Sequence, residues 1–199
     1  MAAVSASYEL RFDAGRVCLD LVATVNGRFG DEPVERLDTP HRLGQWLVGA
    51  RLLLPDVPLD AVDGQWLDHF HTLRDLLFRV VYGEFDGRAA DTDVERVNAL
   101  AAAAPPALRA VRDADGSLVR AHAAAPTCEA LLAQVARDAV DLLTDATARD
   151  QLRRCEGESC ALIYLDTSRG RRRRWCSSEV CGNRERVARH RRRAVAARA

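Results

Sequence analysis

Four of the six cysteines fall as two close pairs, Cys155 with Cys160 and Cys176 with Cys181, each pair enclosing four residues and the two pairs separated by fifteen. Thiolates in this pattern are the donor set of a closed tetrahedral zinc site, which supplies folding free energy that a short segment cannot draw from its own core. A reducing compartment disfavours a pair of disulfides, and an iron–sulfur cluster would call for ferredoxin-type spacings that the chain lacks. With thiolate at every position, no coordination site is left for an activated water. The expected metal is therefore one structural Zn²⁺, with no catalytic residue around it.

Stepping outward from the cysteines, residues 161–165 read as a strand, 166–170 as a turn and 171–175 as a returning strand. Residues 181–193 read as a helix, with Val187 and Val195 available to face the finger. A knuckle, a hairpin and a helix in that order describe a treble clef. Trp175 is expected to pack beside the metal, Gly182 to allow close backbone approach, and Asn183 to hydrogen-bond locally.

Charge sets this end apart. Residues 153–199 carry 14 arginines against 5 acidic residues, a net of +9, while 1–152 carry 15 against 24, a net of −9. The chain has no lysine, which reads as compositional bias; the clustering of arginines is what informs. Arg171, Arg172, Arg173 and Arg174 on the expected hairpin, with Arg184, Arg186, Arg189, Arg192 and Arg193 on the helix, would neutralise several phosphates and bind with strong salt dependence. Nucleic acid is the expected partner. The rival is an acidic protein surface, the attached acidic body included.

The body must hold this module. At 48% hydrophobic residues, 199 positions suffice for one ordinary core and an annex. Residues 8–12 alternate as a strand, 17–23 suit a buried helix, and 26–31 a loop. Asp38-Thr39-Pro40 opens a helix through Leu43, Trp46, Leu47 and Ala50. The longest helix, about 60–85, sets Val62, Trp66, Phe70, Leu73, Leu77, Val80 and Val81 on one face. Asp91 or Thr92 caps another. Two alternating runs, 108–113 and 118–123, flank Asp115-Gly116 as a hairpin, and Thr127 caps a helix that continues close to Arg153. The class is α+β: an N-terminal mixed α/β domain, 1–152, and a C-terminal treble-clef zinc finger, 153–199.

Several residues carry no chemistry on this reading. His69 and His71 lie two apart on a helix and point to different faces; His41 and His122 are isolated. Cys18 and Cys128 fall on apolar faces as small core residues, and Glu9, Asp13 and Asp20 read as solvated charge. There is no glycine-rich phosphate loop and no nucleophile elbow, so no enzyme is expected. The first residues have neither a basic start nor an apolar run fit for a signal peptide or a span, so the protein is expected to be soluble and cytoplasmic, without a membrane partner.

Tyr164-Leu165-Asp166-Thr167-Ser168-Arg169, Arg174-Trp175-Cys176-Ser177, Cys181-Gly182-Asn183-Arg184 and the basic run Arg189-His190-Arg191-Arg192-Arg193 resemble the CGNR-type zinc finger. Upstream, Phe12-Asp13-Ala14-Gly15-Arg16-Val17-Cys18-Leu19-Asp20 looks like the start of the ABATE domain that accompanies this finger. Ala23-Thr24 stand where that family carries Asn-Thr. The resemblance implies a bacterial stress-induced transcription regulator. Its finger would bind nucleic acid, DNA being the expected kind, and its N-terminal domain would sense a small-molecule effector or form a homodimer.

Overall fold

The structure, a computed structural model, describes residues 9–55, 57–157 and 160–196, with side chains as far as 192. Along the chain come α1 (Val17–Val22), β1 (Val25–Asn26), β2 (Val34–Glu35), α2 (Pro40–Gly49), α3 (Gly64–Glu84), α4 (Asp91–Ala101), β3 (Leu108–Arg112), β4 (Leu118–His122), α5 (Cys128–Thr144), α6 (Ala146–Gln151), β5 (Leu152–Arg154), β6 (Ile163–Leu165) and α7 (Cys181–Ala196). Helices with small antiparallel sheets make the α+β class. Two compact units result, and they do not follow chain order. One is Leu37–Asp145; the other joins the residues up to Arg36 with those from Ala146 onward.

The first unit is built on amphipathic helices whose starts are set by side-chain caps. Thr39 accepts a hydrogen bond from the Arg42 amide with Pro40 at the first helical position, Asp63 accepts from Trp66, and Thr127 accepts from Ala130. The Asp63 cap starts α3 at Gly64, so Val62 precedes the helix and, like Trp66, is only half-buried. Farther along, Phe70, Leu73, Leu77, Val80 and Val81 fill the core as the periodicity predicts. Trp46 meets Phe70 edge-to-face, ring centroids 6.1 Å apart. Neither Asp91 nor Thr92 caps α4: Ala90 stands at the cap, and Asp91 and Asp93 sit inside the first turn, where negative charge suits the helix dipole. The hairpin pairs Leu108 with His122 through Arg112 with Leu118, closed by Asp113 accepting from the Asp115 and Ser117 amides. The α5 helix stops at Thr144 because Asp145 is extended, well short of Arg153. Cys128 is half-buried, its Sγ 3.8 Å from His69 Nδ1, and so is not a core residue.

The second unit has only short elements. Tyr8 lies outside the described residues, and residues 9–12 form no strand. Instead, a single backbone bond from the Leu165 amide to the Ala14 carbonyl, 2.9 Å, ties this segment to β6. Gly15 follows at φ +97°, and a Cβ there would stand 3.0 Å from Leu165 Cβ. That position requires glycine on both counts. Cys18 in α1 is fully buried, as expected of a small core residue. Asp20 is also buried rather than solvated, its carboxylate accepting from the Ala14 amide at 2.9 Å. Asn26, expected in a loop, pairs with Val34 in a two-residue ladder.

The expected strand at 161–165 shortens to β6, and its partner is not 171–175. β6 pairs with β5, where the sequence predicts the tail of a helix, in the register Leu152 with Leu165 and Arg154 with Ile163. Among the described residues no helix is long and apolar enough to cross a membrane.

Candidate metal centre and basic surface

Three of the four clustered cysteines are placed by the ends of elements, and Cys176 by the loop before α7. Cys155 follows β5 and Cys160 precedes β6; the Cys155 amide bonds the Leu162 carbonyl, extending the ladder, while the Cys160 amide turns back to Gly157. At Gly157 a Cβ would lie 3.2 Å from Cys160 Cβ and 3.4 Å from Cys181 Sγ, so any larger residue would push on the ligating side chains of the knuckle. Cys181 is the first residue of α7, and Ser177 prepares that helix by accepting from the Glu179 and Val180 amides.

All four cysteines are buried, and their sulfur atoms lie within 4.8 Å of one another. Cys160 and Cys176 are 3.8 Å apart and Cys176 and Cys181 3.6 Å. Four sulfurs about 2.3 Å from one zinc would stand about 3.8 Å apart at tetrahedral angles, whereas a disulfide needs about 2.05 Å. The donor set and spacing fit zinc. The neighbouring thiols of Cys155, Cys160 and Cys181 hold Cys176 below the ordinary thiol range, and the Arg11 cation adds to this. Cys155 is brought down to about 7, chiefly by the Cys160 thiol. Thiolate, the form that binds metal, is favoured at both, while the same sulfur contacts, Cys155 foremost, push Cys160 and Cys181 up.

Around the cysteines runs a shell of directed polar groups. Arg11 Nη1 donates to Cys176 Sγ at 3.2 Å and Nη2 to the Cys176 carbonyl at 2.9 Å, while Asp13 holds the same guanidinium at 2.9 and 2.8 Å. Arg173 donates to the Trp175 carbonyl at 2.9 Å and to the Cys176 carbonyl, with its guanidinium 4.4 Å over the Tyr164 ring. The buried Asp166 carboxylate accepts from the Ser168 hydroxyl, the Ser168 amide and the Arg173 amide. These bonds, the Ser168 hydroxyl foremost, hold it below the usual carboxylate range. Tyr164 donates to the Arg173 carbonyl at 2.7 Å, and burial pushes its phenol up. Side chains, with the Glu156 amide donating to the Arg174 carbonyl and the Arg171 amide to the Ser168 carbonyl, thus satisfy the segment expected to pair as a strand.

Residues 15–146 match the family model named ABATE, described as "Putative stress-induced transcription regulator", and residues 151–194 match the CGNR zinc finger. The chain belongs to the ABATE family. Its CGNR finger holds one structural zinc, through Cys155, Cys160, Cys176 and Cys181. No curated protein matches the chain at a significant level.

The arginines expected to contact nucleic acid divide by their surroundings in this ABATE chain. Arg171 and Arg172 are exposed on the turn, and Arg184 and Arg189 on α7. Arg174 pairs with Glu156 at 2.6 Å, Arg186 donates to the Ser178 carbonyl at 3.1 Å, and Arg192 pairs with Glu185 at 2.7 Å. Arg173 is committed to the zinc shell, and the Arg193 side chain lies outside the described residues. Val187 is 44% exposed and does not face the finger; the Val195 side chain also lies outside the described residues. Asn183 is exposed, and no described residue hydrogen-bonds its side chain. At Gly182 a Cβ would sit 3.4 Å from Trp175 Cε3, ordinary contact, so the close approach belongs to Gly157 instead. The roles of Arg11 and Gly157 have no signal in the sequence, and Asp166 and Ser177 stand in the CGNR-like motifs without their contacts being readable there. Only Asp166, two residues before a serine in a turn, also has a local turn signal.

Proposed function

We propose that this protein is a transcription regulator that binds nucleic acid, specifically DNA, through its zinc-ordered finger, folded as a treble clef. The observation that carries the reading is the finger surface: exposed Arg171, Arg172, Arg184 and Arg189 stand on a turn and a helix whose geometry the metal fixes. Guanidinium groups held in place neutralise phosphates at less entropic cost than flexible ones. The zinc has a structural role, and the protein is not an enzyme; the helical unit senses a small-molecule effector or forms a homodimer, in the cytoplasm.

A second reading has its own support. Arg174 with Glu156 and Arg192 with Glu185 pair finger arginines with carboxylates, which is how an acidic protein partner would be held. Zinc content measured beside binding of a short non-specific duplex at two salt concentrations separates the two. One zinc per chain, with affinity that falls as salt rises and vanishes on chelation, supports the regulator. Zinc without duplex binding at low salt overturns it in favour of the protein partner.

A further inference from the structure

A groove of about 580 Å³ opens on the finger, with Asp13, Arg172, Arg174, Trp175, Ser177 and Glu179 in its lining. That volume lies within the range of small-ligand sites and suits a single nucleotide. Its walls are not those of a phosphate track. The exposed Arg174 guanidinium lies over the Trp175 ring, 5.1 Å from its centroid, and the ring backs a planar cation of the kind on which unstacked bases lie. Asp13 is bound at both oxygens by Arg11, but Glu179 is exposed and no described residue pairs with its carboxylate. Ser177, accepting from the Glu179 amide at 3.2 Å, fixes the backbone that carries it.

A bare carboxylate in an arginine-rich groove repels phosphate, yet it is the natural acceptor for base N–H groups. Guanine alone among the common bases offers a ring N–H and an amino group side by side on its Watson–Crick edge, matching the two carboxylate oxygens. In a duplex that edge is paired and the face is stacked. From this, and resting on the nucleic-acid reading above, we infer that the groove binds an unpaired guanine nucleotide. The base stacks on the outer face of the Arg174 guanidinium, which Trp175 backs, Glu179 accepts from its N1–H and N2 amino group, and exposed Arg172 contacts the adjoining phosphate.

The test uses the zinc-loaded full chain and fluorescent 11-mers of thymine carrying one central guanine, the same strand with inosine, which lacks the amino group, and the duplex of the guanine strand. Matching uridine RNA strands show which backbone is preferred. The guanine strand is expected to bind roughly tenfold tighter than the inosine strand, and tighter than the duplex. Glu179→Gln raises affinity for every strand by removing a negative charge but loses the guanine–inosine difference; Arg172→Ala weakens all strands alike. Equal binding of guanine and inosine strands, or a difference that survives in Glu179→Gln, overturns the groove assignment while leaving nucleic-acid binding intact. No binding of any strand or duplex at low salt overturns both readings.

Discussion

The two compact units solve the same problem with different chemistry. Leu37–Asp145 rests on helices of up to 21 residues whose buried faces supply Trp46, Phe70, Leu77, Val81, Leu131 and Leu142. The other unit has strands of two or three residues and, before α7, helices of six. Elements so short bury too little apolar area to fix their positions. They are held instead by four thiols, by Asp166 bridging to Ser168 and Arg173, and by Arg11 reaching the sulfur of Cys176. Apolar burial is tolerant of small errors in placement; a metal shell is not.

Removing the metal is the severest way to break this comparison. Chelation withdraws roughly 10 kcal/mol or more of folding free energy from the finger. Hydrogen exchange should then lose protection at β5, β6 and around Ala14 while α3 and α5 stay protected; loss everywhere at once would show that the units are not energetically separate. Phe70→Ala is the reverse experiment, costing about 3–5 kcal/mol in denaturant unfolding of the helical unit, with zinc stoichiometry unchanged. Arg11→Ala sharpens the picture of the metal shell, because a group that donates to a ligating sulfur tunes its metal. Competition with a chromogenic chelator should find zinc affinity lowered about 10- to 100-fold. Unaltered affinity would reduce Arg11 to packing. The mildest contrast is between two glycines. Gly157→Ala should cost about 1–2 kcal/mol in the zinc-dependent transition, and Gly182→Ala much less, since only the former forces atoms together.

What could be seen in the sequence follows the same division. Helix periodicity and capping residues repeat within a few positions, so α2, α3 and α5 were legible together with most of their buried faces, and the Asp-Gly turn marked the hairpin. The cysteines were legible because a metal knuckle imposes short spacings. The finger's sheet was not. Residues 152–154 continue a helical pattern, and their pairing with β6 is a contact made across the knuckle between Cys155 and Cys160 that no local periodicity marks. Asp20 looked solvated since nothing near it in sequence says that Ala14 will need an acceptor. Arg11 stands 165 positions from Cys176, a separation at which no local pattern exists.

That separation also sets the order of events during synthesis. Arg11 leaves the ribosome 165 residues before Cys176 does, and at roughly 5–20 residues per second it waits about 8–33 s for the cysteine it will meet. Throughout that interval the intervening helical unit can complete its own core. The nascent protein therefore captures its zinc last, and a polypeptide stalled before Cys181 would leave the ribosome with a helical unit formed and a finger that has never closed.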